Sequence, residues 1–189
     1  DCIVYNLTVE LPETFIAQDF IVHNKGCFLP DTEILLSNGQ RLLINRVKPG
    51  DKLLAFTQDE GIIIVPVKEI LTARCDKYYE VITEHAFIKV TEEHPIYVGN
   101  NTFRTASTVN AGDNIYIFNG EKLKKEIVKV KRLVDSPSVV YNLRTDYPNT
   151  FFANSVAAHN KGGGGCFQTG TMVSAPCKDK PIESIAIGD

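Results

Sequence analysis

Three short motifs carry side chains able to break a peptide bond. Gly26-Cys27 places a thiol directly after a residue with no side chain. A cysteine thiolate that attacks the carbonyl of the residue before it closes a five-membered ring, so the acyl group migrates from nitrogen to sulfur and the amide becomes a thioester. An unstrained chain does not react in this way, because the amide is the more stable product. A fold that drives it must twist the bond, stabilise the oxyanion and protonate the departing nitrogen. Gly26 tolerates a strained backbone because it lacks Cβ. Far downstream, His159-Asn160 precedes Lys161. An asparagine amide can attack its own backbone carbonyl, giving a succinimide and releasing the next residue. The adjacent His159, with a reference pKa of ~6.5, suits protonation of the leaving amine. Between the two lies Thr91-Glu92-Glu93-His94-Pro95. Thr91 and His94 can both face the Gly26–Cys27 bond if the fold brings the strands together. His94 would then serve as the acid, and the Thr91 hydroxyl or amide would serve the oxyanion, while Glu92 and Glu93 face solvent. Taken singly, each motif also has a plain reading: a small buried thiol, a turn, and a polar strand end.

The elements that must hold these residues are marked by two internal repeats. Val4-Tyr5-Asn6-Leu7 recurs as Val140-Tyr141-Asn142-Leu143, and His23-Asn24-Lys25-Gly26 recurs as His159-Asn160-Lys161-Gly162. A Cys-Phe pair follows each, Cys27-Phe28 and Cys166-Phe167. The chain therefore divides into the tail of one unit (1–26), a whole unit of 134 residues (27–160), a Lys-Gly linker (161–165) and the head of a third unit (166–189). Inside the whole unit, the stretch from Ile34 to Asp51 aligns without a gap on Ile96 to Asp113, an offset of 62 (96 − 34). Each copy reads as strand, turn, strand and a Gly-Asp turn, which predicts a pseudo-two-fold body.

The remaining sequence predicts short strands. Residues 61–71, 78–83, 86–90, 114–118 and 126–134 are β-branched or aromatic and alternate. Leu43 to Val47 could form one helical turn, and no long stretch shows an apolar 3.6 period with caps. The predicted class is all-β.

Composition narrows the function. With 20 Lys+Arg against 23 Asp+Glu the net charge is −3, which argues against a basic nucleic-acid binder. The run Lys122–Arg132 reads as the solvated face of a strand pair. No apolar run approaches the ~18 residues of a membrane helix, and the first residues alternate like a strand instead of a leader peptide. Five cysteines (Cys2, Cys27, Cys75, Cys166, Cys177) without a CxxC spacing form neither a disulfide framework nor a zinc knuckle. Cys75 reads as core packing, and no metal or cofactor is expected.

Together the Cys at the start, Thr-x-x-His in the middle and His-Asn at the end resemble the Hint (hedgehog/intein) superfamily, over 27–160 completely and the flanking pieces in part. The resemblance implies a flat all-β horseshoe with pseudo-two-fold symmetry. It implies self-processing by Cys27, Thr91 with His94, and His159 with Asn160, acting at Gly26 and before Lys161. At this length there is no room for a homing endonuclease, so a mini-intein or bacterial intein-like domain is meant. Two departures stand out: Lys161 replaces the usual Ser, Thr or Cys, and Asn142 and Asn149 stand where the family often has Asp and His. The first fits the type A intein-like class, whose following residue varies. The expected partners are the chain's own flanking segments, with no nucleic acid and no membrane; a monomer is expected, with pairing of the two end pieces open. Because a thiolate works, a reducing compartment is implied. The alternative is a catalytically inactive Hint-fold module in a tandem structural or phage-like protein.

Overall fold

The computed structural model describes residues 26–160 throughout, and outside them residues 4–5, 14–17, 20–23, 167–168, 170–174 and 178–186. The chain forms two compact units, one of residues 26–162 and one of 1–25 with 163–189. The Lys-Gly linker, Cys2, Cys166 and Cys177 lie outside the described residues.

In the smaller unit, strands β1 (Val4–Tyr5), β2 (Thr14–Ala17) and β3 (Phe20–His23) come from the first segment. The larger unit runs through β4 (Glu33–Leu35), β5 (Arg41–Leu43), β6 (Lys52–Phe56), β7 (Ile62–Ile82), β8 (Phe87–Val90) and β9 (Pro95–Gly99). It continues through β10 (Thr102–Thr105), β11 (Asn114–Phe118), β12 (Leu123–Ile127), β13 (Val130–Thr145), β14 (Thr150–Ala153) and β15 (Val156–His159). Strands β16 (Phe167–Gln168), β17 (Met172–Val173) and β18 (Lys180–Pro181) return to the smaller unit. The expected turn at Leu43–Val47 is a 3-10 turn over Ile44–Arg46. Among the described residues there is no α-helix, in keeping with the all-β prediction.

The 62-residue repeat reappears as geometry. Ile34 pairs with Leu42 as Ile96 pairs with Arg104. Ile44 donates its N–H to the Thr32 carbonyl at 2.8 Å, and Ala106 donates to the His94 carbonyl at 2.9 Å. Each Gly-Asp turn is closed alike: Lys48 N–H on the Asp51 carboxylate and Asn110 N–H on that of Asp113, both at 2.8 Å. Gly50 (φ +94°) and Gly112 (φ +93°) take the left-handed backbone these turns require. The two copies meet on one hairpin, β14–β15, where Ala153 pairs with Ile34 and Ala158 with Ile96. The core lies against that hairpin, with Phe28, Ile34, Ile88, Ile96, Ile115, Leu143 and Phe151 fully buried. Each such side chain contributes roughly 1.5–3 kcal/mol by leaving water.

Two features differ from the sequence reading. The short strands expected at 61–71 and 78–83 are parts of one strand, β7, of 21 residues. The polar stretch Thr72–Lys77 joins them because β13 pairs with it along its length, with a register shift between Asp135 and Ser138 at Pro137. Proline has no N–H for the ladder, so the shift keeps the rest in register. In the basic run, Lys124 and Lys125 are exposed as expected, but Glu126 is buried. Burial opposes its charge, yet hydrogen bonds from Thr83 and His85 dominate and pull its pKa to about 2.

In the smaller unit the first and last segments pair with one another. Tyr5 pairs with Phe167 as Tyr141 bridges Phe28, and Ala17 with Val173 as Ala153 with Ile34. Ile182 N–H bonds the Thr171 carbonyl at 2.8 Å, the same contact that Ile44 makes with Thr32.

Candidate active site

Phe28 anchors the upstream junction. Its backbone exchanges two hydrogen bonds of 2.8 Å with Tyr141 on β13, and it also bridges Val90 at the end of β8. The residue before it, Cys27, is 2% exposed and packs with Leu29 and Val140, beside the half-buried Cys75. Beyond β8 the chain turns at Thr91–His94, closed by the His94 N–H on the Thr91 carbonyl at 3.2 Å. The turn is pinned from outside by the N–H groups of Ala106 and Ser107, both at 2.9 Å, on the carbonyls of His94 and Glu92. These bonds turn the Thr-x-x-His spacing into a fixed pair of side chains at one strand end.

Both members of the pair touch the Gly26–Cys27 junction. The Cys27 N–H, which is the nitrogen of the Gly26–Cys27 bond, donates to Thr91 Oγ1 at 2.7 Å. Thr91 also donates to the Cys27 carbonyl, from its N–H at 2.9 Å and from its hydroxyl at 3.3 Å. The oxyanion role expected for Thr91 is therefore not the contact it makes. Its hydroxyl oxygen accepts from the Cys27 nitrogen, while its donors serve the Cys27 carbonyl, because the turn sets Thr91 level with Cys27. On the other side, Gly26 lies directly on the His94 main chain: a Cβ there would meet the His94 Cα at 2.2 Å and N at 2.4 Å.

His94 is fully buried, its ring 3.9 Å from that of Phe28. Burial pushes its pKa down to about 3, against the nearby Gly26 backbone, which favours the charged ring, and with a further push from His159. Among the described residues neither ring nitrogen has a hydrogen-bond partner. Burial therefore keeps the imidazole neutral near pH 7.

The downstream junction sits at the end of β15. Ala158 pairs with Ile96 in antiparallel register, which joins β15 to the strand that follows His94. His159 is half-exposed, with its ring 4.9 Å from Phe103, and it lines an open pocket with Phe56, Asn101, Tyr147 and Asn149. Asn160 is 1% exposed. Its N–H donates to the Asn149 carbonyl at 2.8 Å and its Nδ2 to Thr145 Oγ1 at 3.2 Å. Gly26, Cys27, Thr91, His94, His159 and Asn160 all belong to the larger unit; Lys161 lies outside the described residues. Thr145 is the contact the sequence reading missed. It stands 15 residues from Asn160, and nothing in residue type or spacing marks it. Asn149 was noted only for its side chain, whereas its carbonyl makes the contact.

The Hint module family matches residues 17–139, more than half of the chain, a stretch that includes Cys27, Thr91 and His94 and ends before His159. No curated protein matches the chain. Among solved structures, the bacterial intein-like domain from Clostridium thermocellum is 28% identical with a TM-score of 0.64, covering 71% of this chain and 98% of that one. A DnaB intein from Synechocystis sp. PCC 6803 superposes with a TM-score of 0.67 at 17% identity, over 72% and 99% of the two chains. The gp41-1 intein does so with a TM-score of 0.60 at 17% identity, over 72% and 99%.

Proposed function

The chain belongs to the Hint family, whose fold supports an autoprocessing-type domain, and on that premise we propose that residues 27–160 act once on their own chain, at Gly26 and at Asn160. The observation that carries this reading is the direct seating of the Gly26–Cys27 bond on Thr91 and His94. The substrate is the flanking polypeptide itself.

In the first step the sulfur of Cys27 attacks the Gly26 carbonyl carbon as its thiol proton is relayed through His94, whose low proton affinity keeps it from retaining that proton. The carbon–nitrogen bond then breaks, and His94 returns the proton to the departing nitrogen. Its low proton affinity in the resting state makes it a good donor once charged. Thr91 fixes that nitrogen through the 2.7 Å bond, so the leaving group is aligned before reaction. In the second step Asn160 Nδ2 attacks its own backbone carbonyl, the bond to Lys161 breaks, and His159 protonates the freed amine. The products are a C-terminal succinimide and a new N-terminus at Lys161.

Lys161 decides the fate of the thioester. A lysine side chain cannot repeat the five-membered shift that Ser, Thr or Cys would permit. Water can hydrolyse the thioester, giving scission after Gly26, or the freed α-amine of Lys161 can attack it and join Gly26 to Lys161. The flanking pieces, which repeat the motifs of the whole unit, fit a tandem arrangement of such units.

Two variants separate the steps. Cys27→Ala should abolish cleavage after Gly26 while release at Asn160 persists, and Asn160→Ala should do the reverse, both read by intact mass. If either variant gives the parent's fragments, the roles are wrongly assigned.

A further inference from the structure

We infer that Thr145 is a positioning residue for the second step, holding the attacking nitrogen of Asn160. The inference rests on the reading of Asn160 as the cyclising residue. A carboxamide nitrogen is a poor nucleophile because its lone pair is delocalised into the carbonyl. A hydrogen-bond acceptor on one N–H draws electron density onto that nitrogen and fixes its direction. Among the described residues, Thr145 Oγ1 accepts from Asn160 Nδ2 at 3.2 Å, and Thr145 is itself 4% exposed, so bulk water does not compete.

The bonding around Thr145 sets its polarity. Its own hydroxyl donates to the Asp146 carbonyl at 3.2 Å, so the oxygen turns a lone pair toward Asn160. The Asp146 carbonyl also accepts the Asn149 N–H at 2.9 Å, and the Asn149 carbonyl accepts the Asn160 N–H at 2.8 Å. One turn, Asp146–Asn149, thus fixes both the main chain and the side chain of the reacting residue. Asn160 Oδ1 has no partner among the described residues, so the amide is restrained at its nitrogen alone. Asn142, by contrast, accepts the Leu143 N–H on its Oδ1 at 2.8 Å. The step balances without a co-reactant: the Nδ2–C bond forms and the C–N bond to Lys161 breaks. One proton leaves Nδ2, one reaches the Lys161 nitrogen through His159, and Thr145 ends unchanged.

The test compares Thr145→Val, which keeps the shape but loses the hydroxyl, with Thr145→Ser, which keeps the hydroxyl. Release at Asn160 and thiol-induced cleavage after Gly26 are followed by intact mass in the same full-length samples. Thr145→Val should slow release about tenfold, the scale of one lost hydrogen bond, with cleavage after Gly26 unchanged. Thr145→Ser should restore release to within about threefold of the parent. Release at the parent's rate in Thr145→Val, or equal slowing at both junctions, overturns the inference, the second by showing a merely structural role. Asn160→Ala distinguishes the levels. If it blocks release and Thr145→Val does not slow it, only the role of Thr145 fails. If neither the parent nor any variant releases at this bond, the reading of Asn160 fails and takes the inference with it.

Discussion

At Gly26 the chain has no room for even a methyl group, since a Cβ would overlap main-chain atoms of His94 that no rotamer change can move. Gly26→Ala should therefore displace the scissile carbonyl and reduce thiol-induced cleavage after residue 26 by roughly a hundredfold, the cost of about 1 Å of misplacement. Release at Asn160 should continue; cleavage at the parent's rate in a time course would show that the junction is not held this closely. His94 makes a second prediction, about stability. Its pKa falls from 6.5 unfolded to about 3 folded. Between those values the unfolded chain binds a proton that the folded one refuses, so the group costs stability as pH falls through that window, by at most about 1.4 kcal/mol per unit. Above pH 6.5 the effect is absent. Urea midpoints of the parent should fall through this window more steeply than those of His94→Gln, and parallel curves would contradict the burial argument.

The hairpin β14–β15 is the element on which the site depends, because it joins both copies of the repeat and ends in His159. Phe151 on β14 is fully buried, its ring 5.7 Å from that of Phe28, the residue after Cys27. Phe151→Ala should cost about 3–5 kcal/mol, measured by chemical unfolding; a loss below 1 kcal/mol would place the core elsewhere. Much of this level was legible in the sequence. The ungapped alignment of 34–51 on 96–113 predicted paired halves, because equal spacing of turn residues forces equal hairpin registers. The length of β7 was not legible, since Thr72–Lys77 has no apolar alternation and is strand only through its partner. Thr145 was hidden for the same kind of reason: its contact arises when the chain returns through the Asp146–Asn149 turn. Thr91 and His94 were found as a pair by spacing. Which side of the junction Thr91 serves depends on strand register, which spacing does not encode.

At the scale of the whole molecule, two units share one set of pairings. The motifs of the end segments read as a tail and a head, but whether they pair is not legible in the sequence, because partner choice depends on which chain ends meet. The smaller unit repeats the Tyr–Phe and Ala–apolar pairings of the larger one. The chemistry proposed above concerns residues 26–161. The most direct test is the intact mass of the purified full-length chain, incubated with and without a small thiol. The account predicts fragments ending at Gly26 and at Asn160, the latter as a succinimide, or a product joining Gly26 to Lys161, with the upstream break accelerated by thiol. A full-length chain that keeps its mass under both conditions would contradict it, and would leave an inactive module of the same fold.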